Sequence, residues 1–404
     1  MPALDVDAGK VCNSFGNGSP KLSLSSIPGP VRFLLWGKTG GRCEYRGCNK
    51  ALYRDSLTTG EFNRAYIAHI IADKPGGPRG DTVLSPQLAQ DISNLMILCD
   101  EHHRLIDIDD VPRHTVDMLR GMKKEHEDRM EMLQSLADDL RSHVLLYGSR
   151  IGEHHVTLNF NSAKMAMLPK RYPADHRPIE LGISNGTFTD DDPEFWRYEV
   201  AQLQKQFRQR VEPLLATSEV KHLSIFALAA IPLLMELGRL LSDIPTAEVY
   251  ECQREPAGWA WDANSPPVKF ILTPPDISKH EQVDAALVLS LSGKITHDRI
   301  FSATNPDIAI WEISHPDPKP GFLRNPASLS NFRDIVRTAY DRIKVTHGYE
   351  VALHVFPAMP AAAAVESGRV WLKKADPSLL IYDQSRATGG FRHVHTISQP
   401  AQEA

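Results

Sequence analysis

The chain has 404 residues, 42% of them hydrophobic and 24% charged, with a formal net charge of −5. This composition suits two or three folded domains and excludes a low-complexity or disordered chain, and no run approaches the roughly 18 apolar residues of a membrane span. The acidic balance neither demands nor forbids a nucleic-acid partner, because a basic face can sit on an acidic whole.

Residues 1–28 are rich in Gly, Ser and Pro and lack the basic-then-apolar order of a secretory signal, so a flexible N-terminal segment and a cytoplasmic location are expected. A short helix is predicted over Val31–Gly37. It leads into Cys43 and Cys48, two of the five cysteines, separated by a four-residue spacer. Further on, Ala68–Asp73 reads Ala-His-Ile-Ile-Ala-Asp on a strand predicted over Ala65–Ile71, and Ser93–His103 reads Ser-Asn-Leu-Met-Ile-Leu-Cys-Asp-Glu-His-His. Cys43, Cys48, Cys99 and His102 are spaced as metal ligands rather than disulfide partners, which agrees with a reducing compartment. As a set they form two knuckles of the Cys₃His kind that closes a tetrahedral Zn²⁺ site with four protein ligands. Gly40, Gly41, Gly47 and Asp100 supply the turns such knuckles require.

Between and beside the knuckles lie His69, Asn94 and His103. Phosphodiester hydrolysis needs a base to activate water and a cation on the scissile phosphate. A His on a strand, facing a phosphate-bound ion held by a His on a helix, would supply both. Asn94 either holds the other nitrogen of His69 or pins the hairpin. In the loop 74–81, Lys74 and Arg79 are either phosphate contacts or parts of a solvated loop.

Over Val31–Leu136 these residues resemble the HNH endonucleases of the ββα-metal type. The resemblance implies an α+β, zinc-stabilised N-terminal domain, residues 29–146 with an exit helix, acting on double-stranded DNA. His69 would be the general base, Asn94 the middle Asn, and His103 the ligand of a catalytic Mg²⁺ or other divalent ion, with the Cys₃His set holding structural Zn²⁺. Ala68 stands where many such enzymes carry an acid or a His as second ligand. The ion would therefore rest on His103, substrate and water, or on another side chain such as Asp73.

From Thr115 to Leu146, apolar residues recur at three- and four-residue spacing (Met118, Leu119, Met122, Met130, Leu133, Leu136), predicting a helix that leaves the first module. Lys123, Lys124, His126 and Arg129 could make a basic face there, but Glu125, Glu127 and Asp128 are interleaved and favour a solvated helix. His155–Phe160 alternates as a strand would, and a helix is predicted over about Glu194–Leu215.

The rest contains an internal repeat. Phe226, Glu236, Gly238 and Arg239 recur as Phe356, Glu366, Gly368 and Arg369; Tyr250, Arg254, Gly258 and Trp259 recur as Tyr382, Arg386, Gly390 and Phe391. Each copy, about 220–262 and 350–393, reads strand, helix ending near Gly-Arg, then strand ending at Tyr. Two α/β half-domains would place their strand ends around one crevice. A nucleotide there needs aromatic platforms and cations or backbone amides. Tyr250, Trp259, Trp261 and Phe391 are candidate platforms, although packing is the preferred role of the Tyr pair. Arg254 and Arg386 are candidate cations, and the turn at Pro360 a source of amides.

These blocks resemble the SAVED domain, a fusion of two CARF-like units, over about Asn161–Ala404, taken as a domain 147–404. The resemblance implies a receptor for a cyclic di- or trinucleotide in a bacterial anti-phage (CBASS) system. Messenger binding would assemble a homo-oligomer whose HNH sites then degrade double-stranded DNA, with no membrane involved. Two alternatives remain: a modification-dependent restriction endonuclease whose C-terminal half reads DNA, and a non-catalytic sensor or scaffold.

Overall fold

The computed structural model describes residues 26–398 apart from 153–155, 183–187, 218, 244, 277–283 and 385–388. The chain divides into two compact units, Met1–Leu136 and Ala137–Ala404. Among the described residues no helix is long and apolar enough to cross a membrane.

In the first unit the elements are α1 (Gly29–Thr39), β1 (Tyr66–His69), α2 (Leu84–Leu88), β2 (Leu95–Leu98), α3 (Asp100–Arg104) and α4 (Val116–Gln134). β1 and β2 form an antiparallel pair with His69 opposite Leu95. Two strands alone are marginal in water, and this pair is held by what covers it. All four residues of β2 are fully buried, in one core with Leu35 of α1 and Leu119 and Met122 of α4. Thr115 starts α4 by accepting a hydrogen bond from the Met118 amide, which satisfies one of the orphan donors of the first turn.

α4 stops at Gln134 instead of running to Leu146. The segment expected to finish it forms β3 (Arg141–Gly148), the central strand of the second unit's first sheet. The reason lies in Val144–Tyr147. Leu145 and Tyr147 enter one core while Val144 and Leu146 enter another, so the run is buried on both faces, as strands inside parallel sheets are. The division between units accordingly falls after Leu136 rather than after 146. The strand expected at His155–Phe160 does not form either. His155 lies outside the described residues, and Asn159 caps the following helix by accepting hydrogen bonds from the amides of Asn161 and Ser162.

The first sheet of the second unit comprises β3, β4 (Tyr172–Pro173), β5 (Ile179–Leu181), β6 (Leu223–Leu228) and β7 (Ala247–Tyr250), all parallel. Its helices are α5 (Phe160–Met167), α6 (Pro193–Arg210), α7 (Glu212–Ala216) and α8 (Ile231–Leu241). A hairpin of β8 (Gln253–Arg254) and β9 (Ala257–Gly258) follows. The second sheet contains β10 (Ile271–Thr273), β11 (Ala285–Ser290), β12 (Ala309–Ser314), β13 (Leu353–Ala358), β14 (Leu379–Gln384) and β15 (Phe391–Ile397). They are ordered β10-β12-β11-β13-β14-β15, with only the two outermost antiparallel to their neighbours. The helices of this half are α9 (His297–Phe301), α10 (Pro326–His347) and α11 (Ala361–Arg369).

The spatial order β5-β3-β6-β7 in one sheet is repeated as β12-β11-β13-β14 in the other. The duplication therefore begins at β3 and β11, well upstream of residues 220 and 350. Sequence agreement survives where the copies make equivalent tight contacts. Phe226 stacks on Tyr250 at 4.4 Å and meets Trp259 edge-on at 5.3 Å; Phe356 stacks on Tyr382 at 4.5 Å and meets Phe391 edge-on at 5.2 Å. α8 and α11 pack together through Gly238 and Gly368. A Cβ on Gly238 would stand 2.0 Å from the Val365 carbonyl oxygen, and one on Gly368 would stand 2.0 Å from that of Met235. Beside each glycine, Glu236 pairs with Arg239 and Glu366 with Arg369.

Candidate functional site

In the first unit the donor atoms of Cys43, Cys48, Cys99 and His102 all lie within 4.8 Å of one another. His102 Nδ1 is 3.1 Å from Cys99 Sγ and 3.7 Å from Cys43 Sγ. Cys43 and Cys99 are buried, and burial pushes both thiols up. A bound cation reverses that preference, because coordination deprotonates a thiol outright. The His102 ring is clamped by Tyr45, stacked at 4.0 Å and 9°. Tyr45 is fixed in turn by His114. His114 Nδ1–H donates to the Asp110 carbonyl at 2.7 Å, so Nε2 accepts from the Tyr45 hydroxyl at 3.0 Å. Support of this kind fixes a ligand ring in place. Three thiols and one imidazole at these separations are the donor set and spacing of a closed tetrahedral site.

His69 ends β1 and is buried. Its Nε2 lies 2.9 Å from the Ala89 carbonyl oxygen. A carbonyl only accepts, so Nε2 carries a proton, and in the neutral ring the lone pair falls on Nδ1. Asn94 makes no side-chain hydrogen bond to His69. Its Oδ1 accepts from the Ile71 amide at 2.8 Å, and its Nδ2 donates to the carbonyls of Ile71 (2.8 Å) and Leu88 (3.2 Å). Of its two expected roles, it pins the hairpin just beyond His69. His103, on α3, stacks on Tyr66 of β1 at 5.0 Å, which places it against the strand that carries His69.

Arg79 is not a free phosphate contact. Its side chain is 7% exposed and donates to the carbonyls of Ile70 and Ile106, each at 2.7 Å, and of His69 at 3.3 Å. Lys74 is exposed. The four candidates for a basic face on α4 are used within the unit. Lys123 and Lys124 pair with Glu127 and Asp128, His126 bonds the Thr39 carbonyl, and Arg129 bonds Asn49 and His126.

In the second unit, several residues expected to contact a ligand serve packing. Tyr250 and Trp259 are 2% and 7% exposed, and both meet Phe226, so their ring faces are not open platforms. Phe391 is half-buried between Phe356 and the Arg299 guanidinium, which sits 4.5 Å over its ring. Pro360 is buried at the N-cap of α11 and, as a proline, has no amide hydrogen to offer. Arg254 is exposed on β8. Arg386 lies outside the described residues. Trp261 is half-buried and faces open space. It lines a cleft of about 420 Å³ with Gln253, Asp262 and Arg324, whose edge Trp259 also reaches, and another of about 220 Å³ with Arg171, His222, Arg333 and Glu366. Trp261 Nε1 and Arg171 Nε are buried without a hydrogen-bond partner.

The α11 amides carry a group that the sequence did not announce. Glu251, directly after β7, accepts from the Ala362 amide at 2.7 Å. Burial pushes its carboxyl up to about 7 against the pull of two amides. Between its ordinary value of 4.5 and 7, the folded state holds a proton that the unfolded chain has released, so its contribution to stability falls as pH rises through that window. Glu251→Gln, which keeps the acceptor oxygen without the charge, is expected to gain stability over wild type at pH 8 relative to pH 5. Urea midpoints of both proteins at the two pH values check this, and an identical difference at both would contradict it.

Sequence reading missed Tyr45, His114, Arg79 and Glu251 as supports. Only Tyr45, inside the first knuckle, carried a signal, its place between two ligands.

Residues 203–397 match the family model of SAVED, described as the SMODS-associated and fused to various effectors sensor domain. Among solved structures, the Acinetobacter baumannii Cap4 SAVED/CARF-domain containing receptor with the cyclic trinucleotide 2'3'3'-cAAA is 12% identical with a TM-score of 0.42, covering 70% of this chain and 60% of that one. The Moraxella osloensis Cap4 SAVED/CARF-domain containing receptor is 12% identical with a TM-score of 0.39, covering 70% and 59%. This chain thus spans about three fifths of the length of the receptors it matches. Among curated proteins no match was found. Residues 203–397 form a SAVED sensor domain.

Proposed function

We propose that this protein is a cyclic-oligonucleotide-activated DNA endonuclease of a bacterial anti-phage (CBASS) system, with an HNH nuclease in the first unit and the SAVED domain as its sensor. One observation carries the nuclease half. A Cys₃His cluster closes within 4.8 Å beside a hairpin that presents His69, is pinned by Asn94, and packs against a helix bearing His103. The match to a sensor domain over residues 203–397 favours messenger sensing over DNA reading by the C-terminal half.

In this reading His69 Nδ1 takes a proton from the attacking water, as its Nε2–H bond to Ala89 allows. The water oxygen bonds to phosphorus, the phosphorus–oxygen bond opposite breaks with its electron pair staying on the departing sugar oxygen, and solvent water protonates that oxygen. Asn94 keeps the strand end in register with that water. A divalent ion on His103 would supply a Lewis acid for the phosphate oxygens. Such a base contributes roughly 10²–10⁴-fold. Activation requires the messenger to favour the active assembly by about 5.5 kcal/mol to shift it from 1:99 to 99:1, and ligand-driven homo-oligomerisation would provide this cooperatively. The test is cleavage of double-stranded DNA by the full chain with and without cyclic di- and trinucleotides, the two named for the Cap4 receptors being the first probes.

The Cys₃His set fits structural Zn²⁺. Stripping it with a strong chelator, or changing Cys99 to Ser, is expected to cost the first unit on the order of 5 kcal/mol, less than the roughly 10–16 kcal/mol that zinc supplies to small zinc-finger peptides. The second unit should melt unchanged. Metal analysis of the purified chain and a melting curve before and after chelation check this. A protein without bound metal that melts identically in both would contradict it.

A further inference from the structure

Ala68 is 2% exposed and offers no donor atom, so a catalytic cation at His103 lacks the partner expected before the base. The structure places a carboxylate at His103 from another direction. α3 runs on into a wide helical turn, Leu105–Asp109, which brings Asp107, four residues after His103, onto the same side. Asp107 Oδ2 lies 3.5 Å from His103 Nε2, with the two side chains 21% and 24% exposed. The other oxygen, Oδ1, accepts from Arg79 at 2.6 Å. Since Arg79 also donates to the His69 carbonyl, one buried guanidinium fixes the orientation of Asp107 and links it to the strand end that carries His69.

Resting on the nuclease reading, we infer that Asp107 is the second protein ligand of the catalytic cation, paired with His103. Two donors bonded at about 2.1 Å and at right angles stand about 3 Å apart, so the observed pair closes on an ion with a shift of less than about 1 Å. A carboxylate and an imidazole together suit Mg²⁺ or Mn²⁺ at an open site. The guanidinium on Oδ1 leaves Oδ2 as the coordinating atom, as hydrogen-bonded ligand carboxylates commonly are arranged.

The experiment is Mn²⁺ titration of the full, zinc-loaded chain, followed by calorimetry and by the electron paramagnetic resonance of free Mn²⁺. Asp107→Asn should weaken Mn²⁺ binding at least about tenfold with unchanged zinc content and a cooperative melt retained at a somewhat lower temperature, because buried Arg79 loses its counter-charge. His103→Ala should weaken binding to a similar extent. Adding Ala68→Asp to Asp107→Asn should recover part of the lost affinity, by returning a carboxylate from the strand. If Asp107→Asn binds Mn²⁺ as wild type does while His103→Ala loses it, Asp107 is not a ligand and the nuclease reading stands. If neither variant changes Mn²⁺ binding, there is no cation site at His103, and the nuclease reading fails with the inference. Should Asp107→Asn misfold, Asp107→Glu and Asp107→Gln form the replacement pair. Tighter Mn²⁺ binding by the Glu variant than by the Gln variant, with both folded, supports the ligand role, and equal binding overturns it.

Discussion

Replacing Gly238 by Ala is expected to destabilise the second unit by about 3 kcal/mol or more, and Gly368→Ala should do the same. The added Cβ on Gly238 would stand 2.0 Å from the Val365 oxygen, 2.8 Å from the Arg369 nitrogen and 2.9 Å from the Gly368 Cα. All three are backbone atoms of α11 and cannot swing aside like the end of a side chain. The helices must move apart, and separation opens voids around Leu237, Met235 and Val365, which are now fully buried. Gly121→Ala, inside α4, is the control. Nothing lies within 4 Å of its added Cβ, and the usual helix preference predicts a gain of about 0.5–1 kcal/mol. Urea or thermal unfolding of the three variants separates the cases. A neutral Gly238→Ala would mean that α8 and α11 do not pack backbone to backbone.

That contact explains which parts of the duplication could be read from the chain. Gly238/Gly368, Phe226/Phe356 and Tyr250/Tyr382 match because close packing leaves few other residues for those places. β3 and β5, the counterparts of β11 and β12, showed no resemblance to them. Val144–Leu146 falls inside the predicted helix because an apolar run alone does not distinguish a strand buried on both faces from a helix. The metal-ligand set was legible because Cys and His at knuckle spacing have few other uses. Its supports were not, since Tyr45–His114 and Arg79–Asp107 join residues whose relation exists only in the fold. Trp259 reads as a platform for the same reason, whereas packing is already the preferred role of Tyr250. Aromatic residues after a strand look alike whether they face a crevice or a core, and here Phe226 occupies their faces.

His69→Ala is expected to lower messenger-dependent DNA cleavage by about 10²–10⁴-fold without changing zinc content, melting or messenger affinity. The substitution removes the one nitrogen that the Ala89 bond leaves as a proton acceptor, while the Asn94 bonds that hold the hairpin run to Ile71 and Leu88 and are untouched. A loss of stability in parallel with activity would instead mark His69 as a packing residue.

The decisive measurement is cleavage of plasmid DNA by the full chain with Mg²⁺, wild type beside His69→Ala, across a panel of cyclic di- and trinucleotides. A messenger-gated HNH nuclease leaves the plasmid intact without messenger and degrades it with one of them, and the variant degrades none. Cleavage by wild type without any messenger would contradict gating by the SAVED domain, and intact plasmid under every messenger would contradict the nuclease.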